Sequence, residues 1–157
     1  MKIACAFDHA GFALKPFVLE TLERLGHETL DLGTDSTMPV DYPDVARDAC
    51  EAVLRGDAER AVIVCGSGAG VAVAACKFPG IRAAVAHETY TAHQAVEHDD
   101  VNVVCLGARV IGPLIAAEVL AAFTAARFTG EERHVRRVGK IGEIEREFSG
   151  GGYAAGD

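Results

Sequence analysis

The stretch Cys65-Gly66-Ser67-Gly68-Ala69-Gly70 places a thiol, a hydroxyl and three glycines within six consecutive residues. It follows an apolar run, Ala61–Cys65, and leads into a helical pattern. Its backbone N–H groups can therefore converge on an anion where the helix begins. A cysteine at such a turn lies where the helix dipole favours a thiolate. A thiolate beside a nest of N–H donors can take a proton from carbon while the nest stabilises the resulting oxyanion. The plainer alternative is a structural cysteine that ends a strand. Two nucleotide motifs do not fit: no Gly-Lys-Ser/Thr follows, and the third glycine position counted from Gly66 and Gly68 is Val71.

Three other clusters carry titratable groups. Asp8-His9-Ala10-Gly11 directly follows the run Lys2–Phe7; Asp8 either caps the next helix or meets a ligand, and His9 beside it favours the ligand. Glu97-His98-Asp99-Asp100 offers His98 as an acid or base near neutrality, or else is a solvated helix end. Arg109 follows the run Asn102–Leu106, and Arg133, His134, Arg136 and Arg137 cluster in EERHVRR. At helical spacing Arg133 and Arg137 share a face and could grip a phosphate together, although such a charge run commonly forms a solvated helix surface. His87 and His93 read as surface or capping residues. No spacing of His, Cys and carboxylates makes a persuasive metal site, so no metal is expected.

The bulk composition narrows the ligand. The 157 residues carry a formal charge of −8, with 50% hydrophobic and 6% aromatic residues and no Trp. That field disfavours nucleic acid and anionic membranes, and a cationic cluster within it needs a small anionic partner. No segment is apolar enough for a membrane span, and the start, MKIACAFDHAG, lacks the features of a signal peptide, so a cytoplasmic protein is expected. The five cysteines are Cys5, Cys50, Cys65, Cys76 and Cys105, without a C-x-x-C pair. Cys5 and Cys105 read as small core residues.

These groups need elements to position them. Short apolar runs at Lys2–Phe7, His27–Leu32, Ala61–Cys65, Arg82–Ala86 and Asn102–Leu106 read as strands. Helical patterns fall between them: Leu14 to Leu25, Asp44–Leu54, Val71–Lys77 and Thr89–Glu97. Two more follow, Pro113–Ala126 and a charged one from Glu131 to Phe148. Continuous apolar strands alternating with helices predict a three-layer, doubly wound, Rossmann-like α/β domain over residues 1–148, with about five parallel strands and helices on both faces. Ligands of such sheets bind beyond the strands' carboxyl ends, where the chemistry-bearing turns lie. Residues 149–157, rich in Gly and Ala, are expected to form a disordered tail.

With its turns assembled, the chain resembles the type B ribose-5-phosphate isomerase family, which also includes the galactose-6-phosphate isomerase subunits. The carriers are FDHAGFALK, DYPD, VCGSGAGVAVAACKFPGIRAA, EHDDVNVVCLGARVIG and ERHVRRV, spanning Lys2 to about Phe148. The resemblance implies a cofactor-independent isomerase of a phosphorylated sugar, most simply ribose 5-phosphate to ribulose 5-phosphate. It implies Cys65 as the proton shuttle, Ser67 near the substrate oxygens, and the amides of Gly66, Gly68 and Gly70 on the enediolate. His98 would open the furanose ring with Asp8 assisting, and Tyr42 would line the sugar pocket. His9, Arg109, Arg133 and Arg137 match phosphate-binding positions. It further implies a homodimer or homotetramer whose sites are shared, so that His98 and the arginines need not come from the chain that carries Cys65.

Two departures stand out. The familiar His-Asn-Asp reads His98-Asp99-Asp100, and Ala-Ala-Asn-Lys reads Ala74-Ala75-Cys76-Lys77. An ionised Asp99 only accepts hydrogen bonds where an amide would also donate, which bears on the sugar recognised. An isomerase of a hexose or tetrose phosphate, or a non-catalytic sugar-phosphate sensor, therefore stands beside the pentose reading. A flavin- or nucleotide-binding domain is disfavoured by the glycine spacing.

Overall fold

Alternation along the apolar runs decides which side chains go to which face. Along β3 (Arg60–Cys65), Val62 and Val64 enter one core, while Ala61, Ile63 and Cys65 enter the other. The same alternation holds in β1 (Lys2–Phe7) and β5 (Val103–Gly107). Strands buried on both sides in this way require helices on both sides.

The computed structural model describes residues 1–149. Two shorter strands, β2 (Glu28–Asp31) and β4 (Ala83–Val85), complete a five-stranded, all-parallel sheet in the order β2-β1-β3-β5-β4. Among the described residues the helices are α1 (Lys15–Arg24), α2 (Tyr42–Leu54), α3 (Ala69–Ala75), α4 (Thr89–Asp99), α5 (Pro113–Ala125) and α6 (Glu132–Phe148). Helices α1, α4 and α5 bury apolar faces in one core, with Phe7, Leu106 and Phe123 at its centre. Helices α2 and α3 cover the opposite face over Ile63, Val103 and Cys105. The expected Rossmann-like architecture is thus the observed one.

Boundaries differ in ways that have local causes. A single 3-10 turn, Phe12–Leu14, precedes α1, and Pro16 occupies its first turn, where a missing N–H costs nothing. Helix α3 begins two residues before Val71, because Gly68 adopts φ +81° and turns the chain sharply into it. The expected disorder of 149–157 lies outside the described residues, Ser149 apart.

Strand order reverses between β1 and β3, which opens a crevice at their carboxyl ends. Gly11 keeps that rim closed: a Cβ there would sit 2.1 Å from the Val64 carbonyl oxygen. Gly11→Ala is therefore expected to destabilise the fold by about 2 kcal/mol or more, read as a lowered urea midpoint at unchanged m-value. A midpoint equal to wild type would contradict this packing.

Candidate active site

Cys65 ends β3 with its side chain on the α2/α3 face, 5% exposed, at the base of a cleft of about 370 Å³. Asp8, His9, Ala10, Tyr42, Gly66, Ser67, Gly70, Arg109 and Val110 line the rest. The structure therefore brings together most of the residues expected to act on one substrate.

Each is held by local backbone geometry. Gly68 donates its amide to Cys65 Sγ at 3.1 Å, so the loop folds back over the sulfur. Asp8 Oδ1 accepts from the amides of Ala10 and Gly11 at 2.9 and 2.7 Å. Asp8 thus caps its turn with one oxygen and also lines the cleft, and the two readings of it are compatible. His9 Nδ1 accepts from Val40 N–H at 3.3 Å, and Ser67 Oγ accepts from Ala69 N–H at 3.3 Å. The Tyr42 ring lies against Gly70, where an added Cβ would fall 3.0 Å from it. Arg109 is placed by its amide, which donates to the Gly66 carbonyl at 3.0 Å, and its side chain runs beside Gly66. Among the described residues, neither Arg109 nor Arg137 has a carboxylate within salt-bridge distance.

Three of the other cysteines, Cys5, Cys50 and Cys105, are buried. Burial, with Asp31 adding to it, pushes the Cys5 thiol up to about 12, and burial with Cys76 nearby does the same for Cys50. Burial above all also raises Cys105, which together with Cys5 sits in the core as expected.

His98, Asp99, Arg133 and Arg137 do not line the Cys65 cleft. His98 stands on α4, across the sheet from the face that holds Cys65. Its ring stacks on His134 of α6, centroids 4.1 Å apart, and the Gln94 amide lies 2.9 Å from its Nδ1. Arg133 Nε donates to His134 Nε2 at 3.2 Å and also pairs with Glu131 at 2.9 Å. Desolvation, the facing His98 ring and Arg133 hold the His134 imidazole below the usual histidine range. In the sequence His134 stands only as one member of the charge run. Its signal was the i,i+4 relation to Val138, which faces the same way along α6 while both arginines stay exposed.

Both departures from the family pattern lie elsewhere again. Cys76 and Asp99 line a groove of about 800 Å³ beneath α6, with Ile81, Val101, Ile141 and Ile144 among its walls. Among the described residues no three or more His, Cys, Asp or Glu side chains converge as a metal site, and no helix is long and apolar enough to cross a membrane.

Residues 3–141 match the family model described as Ribose/Galactose Isomerase. Ribose-5-phosphate isomerase B of Escherichia coli K12 is 40% identical over 145 residues, covering 92% of this chain and 97% of the relative. D-erythrulose-4-phosphate isomerase of Pectobacterium atrosepticum is 38% identical over 149 residues, covering 94% and 97%. A solved structure of ribose-5-phosphate isomerase B from Clostridium thermocellum matches with a TM-score of 0.92 at 44% identity, over 95% of this chain and 100% of that one.

Proposed function

The chain belongs to the ribose/galactose isomerase family and is a sugar-phosphate aldose–ketose isomerase, and from that premise we propose that it converts ribose 5-phosphate to ribulose 5-phosphate with Cys65 as the base. One observation carries the reading: Cys65 lies at the base of the cleft, its sulfur under the Gly68 amide, between the Asp8-His9 turn and Arg109.

The chemistry balances without an oxidant or reductant. The Cys65 thiolate takes the C2 proton of the open-chain aldose, the C2–H electron pair becomes the C1–C2 double bond, and O1 becomes an oxyanion. The amides of Gly66, Gly68 and Gly70, with the Ser67 hydroxyl, stabilise this cis-enediolate. The thiol then returns its proton to C1 while the O2 proton passes to O1, leaving the ketone at C2. The hydrogen moves as a proton, so no redox cofactor takes part.

His98 opens the furanose ring, assisted by Asp8. The Gln94 amide nitrogen that faces His98 Nδ1 can only donate, so in the neutral ring Nδ1 accepts and the proton sits on Nε2. His9, Arg109, Arg133 and Arg137 hold the phosphate, Tyr42 lines the sugar, and Asp99 accepts from its hydroxyls. Cys65 and His98 lie on opposite faces of one sheet, so a second copy of the chain supplies the His98 group to each cleft. The exposed Ile141, Ile144 and Phe148 of α6 support such an association.

Comparison of kcat/KM for ribose 5-phosphate, D-erythrulose 4-phosphate and unphosphorylated ribose tests the substrate. We expect the pentose phosphate to lead each by about a hundredfold or more. Preference for the four-carbon substrate would overturn the substrate while leaving the reaction class.

A further inference from the structure

We propose that His87, which lies outside the cleft, is a positioning residue for the isomerisation, because its imidazole fixes the strand end on which the Cys65–Gly70 loop rests. The proposal rests on the isomerase reading above.

Strands β4 and β5 end at different heights. β4 ends at Val85, paired with Cys105, whereas β5 continues two residues further, to Gly107. In a parallel ladder alternate amides face one neighbour. On the β4 side, Val103 N–H donates to Arg82, and the Cys105 carbonyl accepts from Ala86 N–H at 3.2 Å. The next β5 amide facing that way is Gly107, beyond the end of β4. Its N–H donates instead to His87 Nε2 at 2.9 Å. A side chain thus supplies the missing rung for a residue that is buried.

Gly107 matters because three parts of the cleft meet it. It pairs in register with Cys65. A Cβ on Gly107 would lie 2.6 Å from the Ser67 carbonyl carbon, and one on Gly68 would lie 3.1 Å from that of Leu106. Loop and strand end therefore touch backbone to backbone. The Gly107 carbonyl also accepts from Val110 N–H at 2.9 Å, closing the turn that presents Arg109. A shift of this one peptide moves the loop that carries the oxyanion donors, which a rate-limiting proton transfer would register.

Only a hydrogen-bond acceptor at the Nε2 position preserves the rung. Gln offers its amide oxygen at similar reach, whereas Phe fills the volume without an acceptor. The experiment compares wild type, His87→Phe, His87→Leu and His87→Gln by steady-state kinetics with ribose 5-phosphate and by hydrogen exchange of the Gly107 amide. We expect kcat to fall about tenfold in the two apolar variants at nearly unchanged KM, and His87→Gln to recover to within about threefold of wild type. Gly107 exchange should be fast in the apolar variants and slow in His87→Gln. Wild-type kcat in both apolar variants, or Gln as impaired as Phe, would overturn the proposal. A wild-type protein without turnover would instead sink the isomerase reading, and Gly107 exchange would still decide whether His87 holds this strand end.

Discussion

We expect Cys65→Ala to lower kcat for ribose 5-phosphate by about a thousandfold, the scale for removing a positioned base from a carbon-acid step. The fold should survive, because alanine keeps Cβ on the same face and the lost sulfur sits at the edge of its core, where it also borders the cleft. The one internal bond removed is that from the Gly68 amide. Substrate binding should persist, since Arg109 and His9 do not depend on the sulfur, so KM changes much less than kcat. Cys65→Ser should remain nearly as slow, because a hydroxyl is a far poorer source of a basic anion near neutrality than a thiol. Near-wild-type turnover by either variant, in protein with a normal melting curve, would remove Cys65 from the reaction.

Mixing Cys65→Ala with His98→Ala should restore activity to two proteins that are each nearly inactive. If each cleft takes Cys65 from one chain and His98 from another, random reassortment into dimers makes half of them mixed, and each mixed dimer holds one intact site. Recovered activity should approach about a quarter of wild type. Sites built within one chain would give no recovery, since neither chain holds both residues. The measurement therefore separates a shared site from a site completed by movement of α4 and α6 within one copy.

The strands and the anion loop were legible in sequence because each rests on a short-range signal. Short continuous apolar runs bounded by polar turns locate the strands, and Cys65 to Gly70 stands between a strand pattern and a helix pattern. The partition of the candidate residues was not legible from local pattern. Cys65 and His98 are assigned to opposite faces by the path of α4 over the sheet, which no local spacing encodes. His87 looked like a surface or capping residue for the same reason: its partner, Gly107, is twenty residues away and is brought to it only by the pairing of β4 with β5.

Asp8 shows a different difficulty. Cap and ligand appear as competing readings in a linear chain, yet a carboxylate has two oxygens, and here one holds the turn while the group still lines the cleft. Cys76 and Asp99 make the opposite point. Both break the family pattern, yet both line the groove beneath α6, away from the Cys65 cleft of the same chain. On the proposed shared site, Asp99 would reach a sugar only where a second copy presents it, so its influence on specificity stands or falls with the mixing experiment.

The most direct measurement is proton NMR of ribose 5-phosphate in D2O with the purified protein, chelator present and no cofactor added. We expect loss of the C2 proton signal, appearance of ribulose 5-phosphate with solvent deuterium at C1, and neither change with Cys65→Ala. An unchanged spectrum with wild-type protein, or the same conversion by Cys65→Ala, would contradict the proposed mechanism.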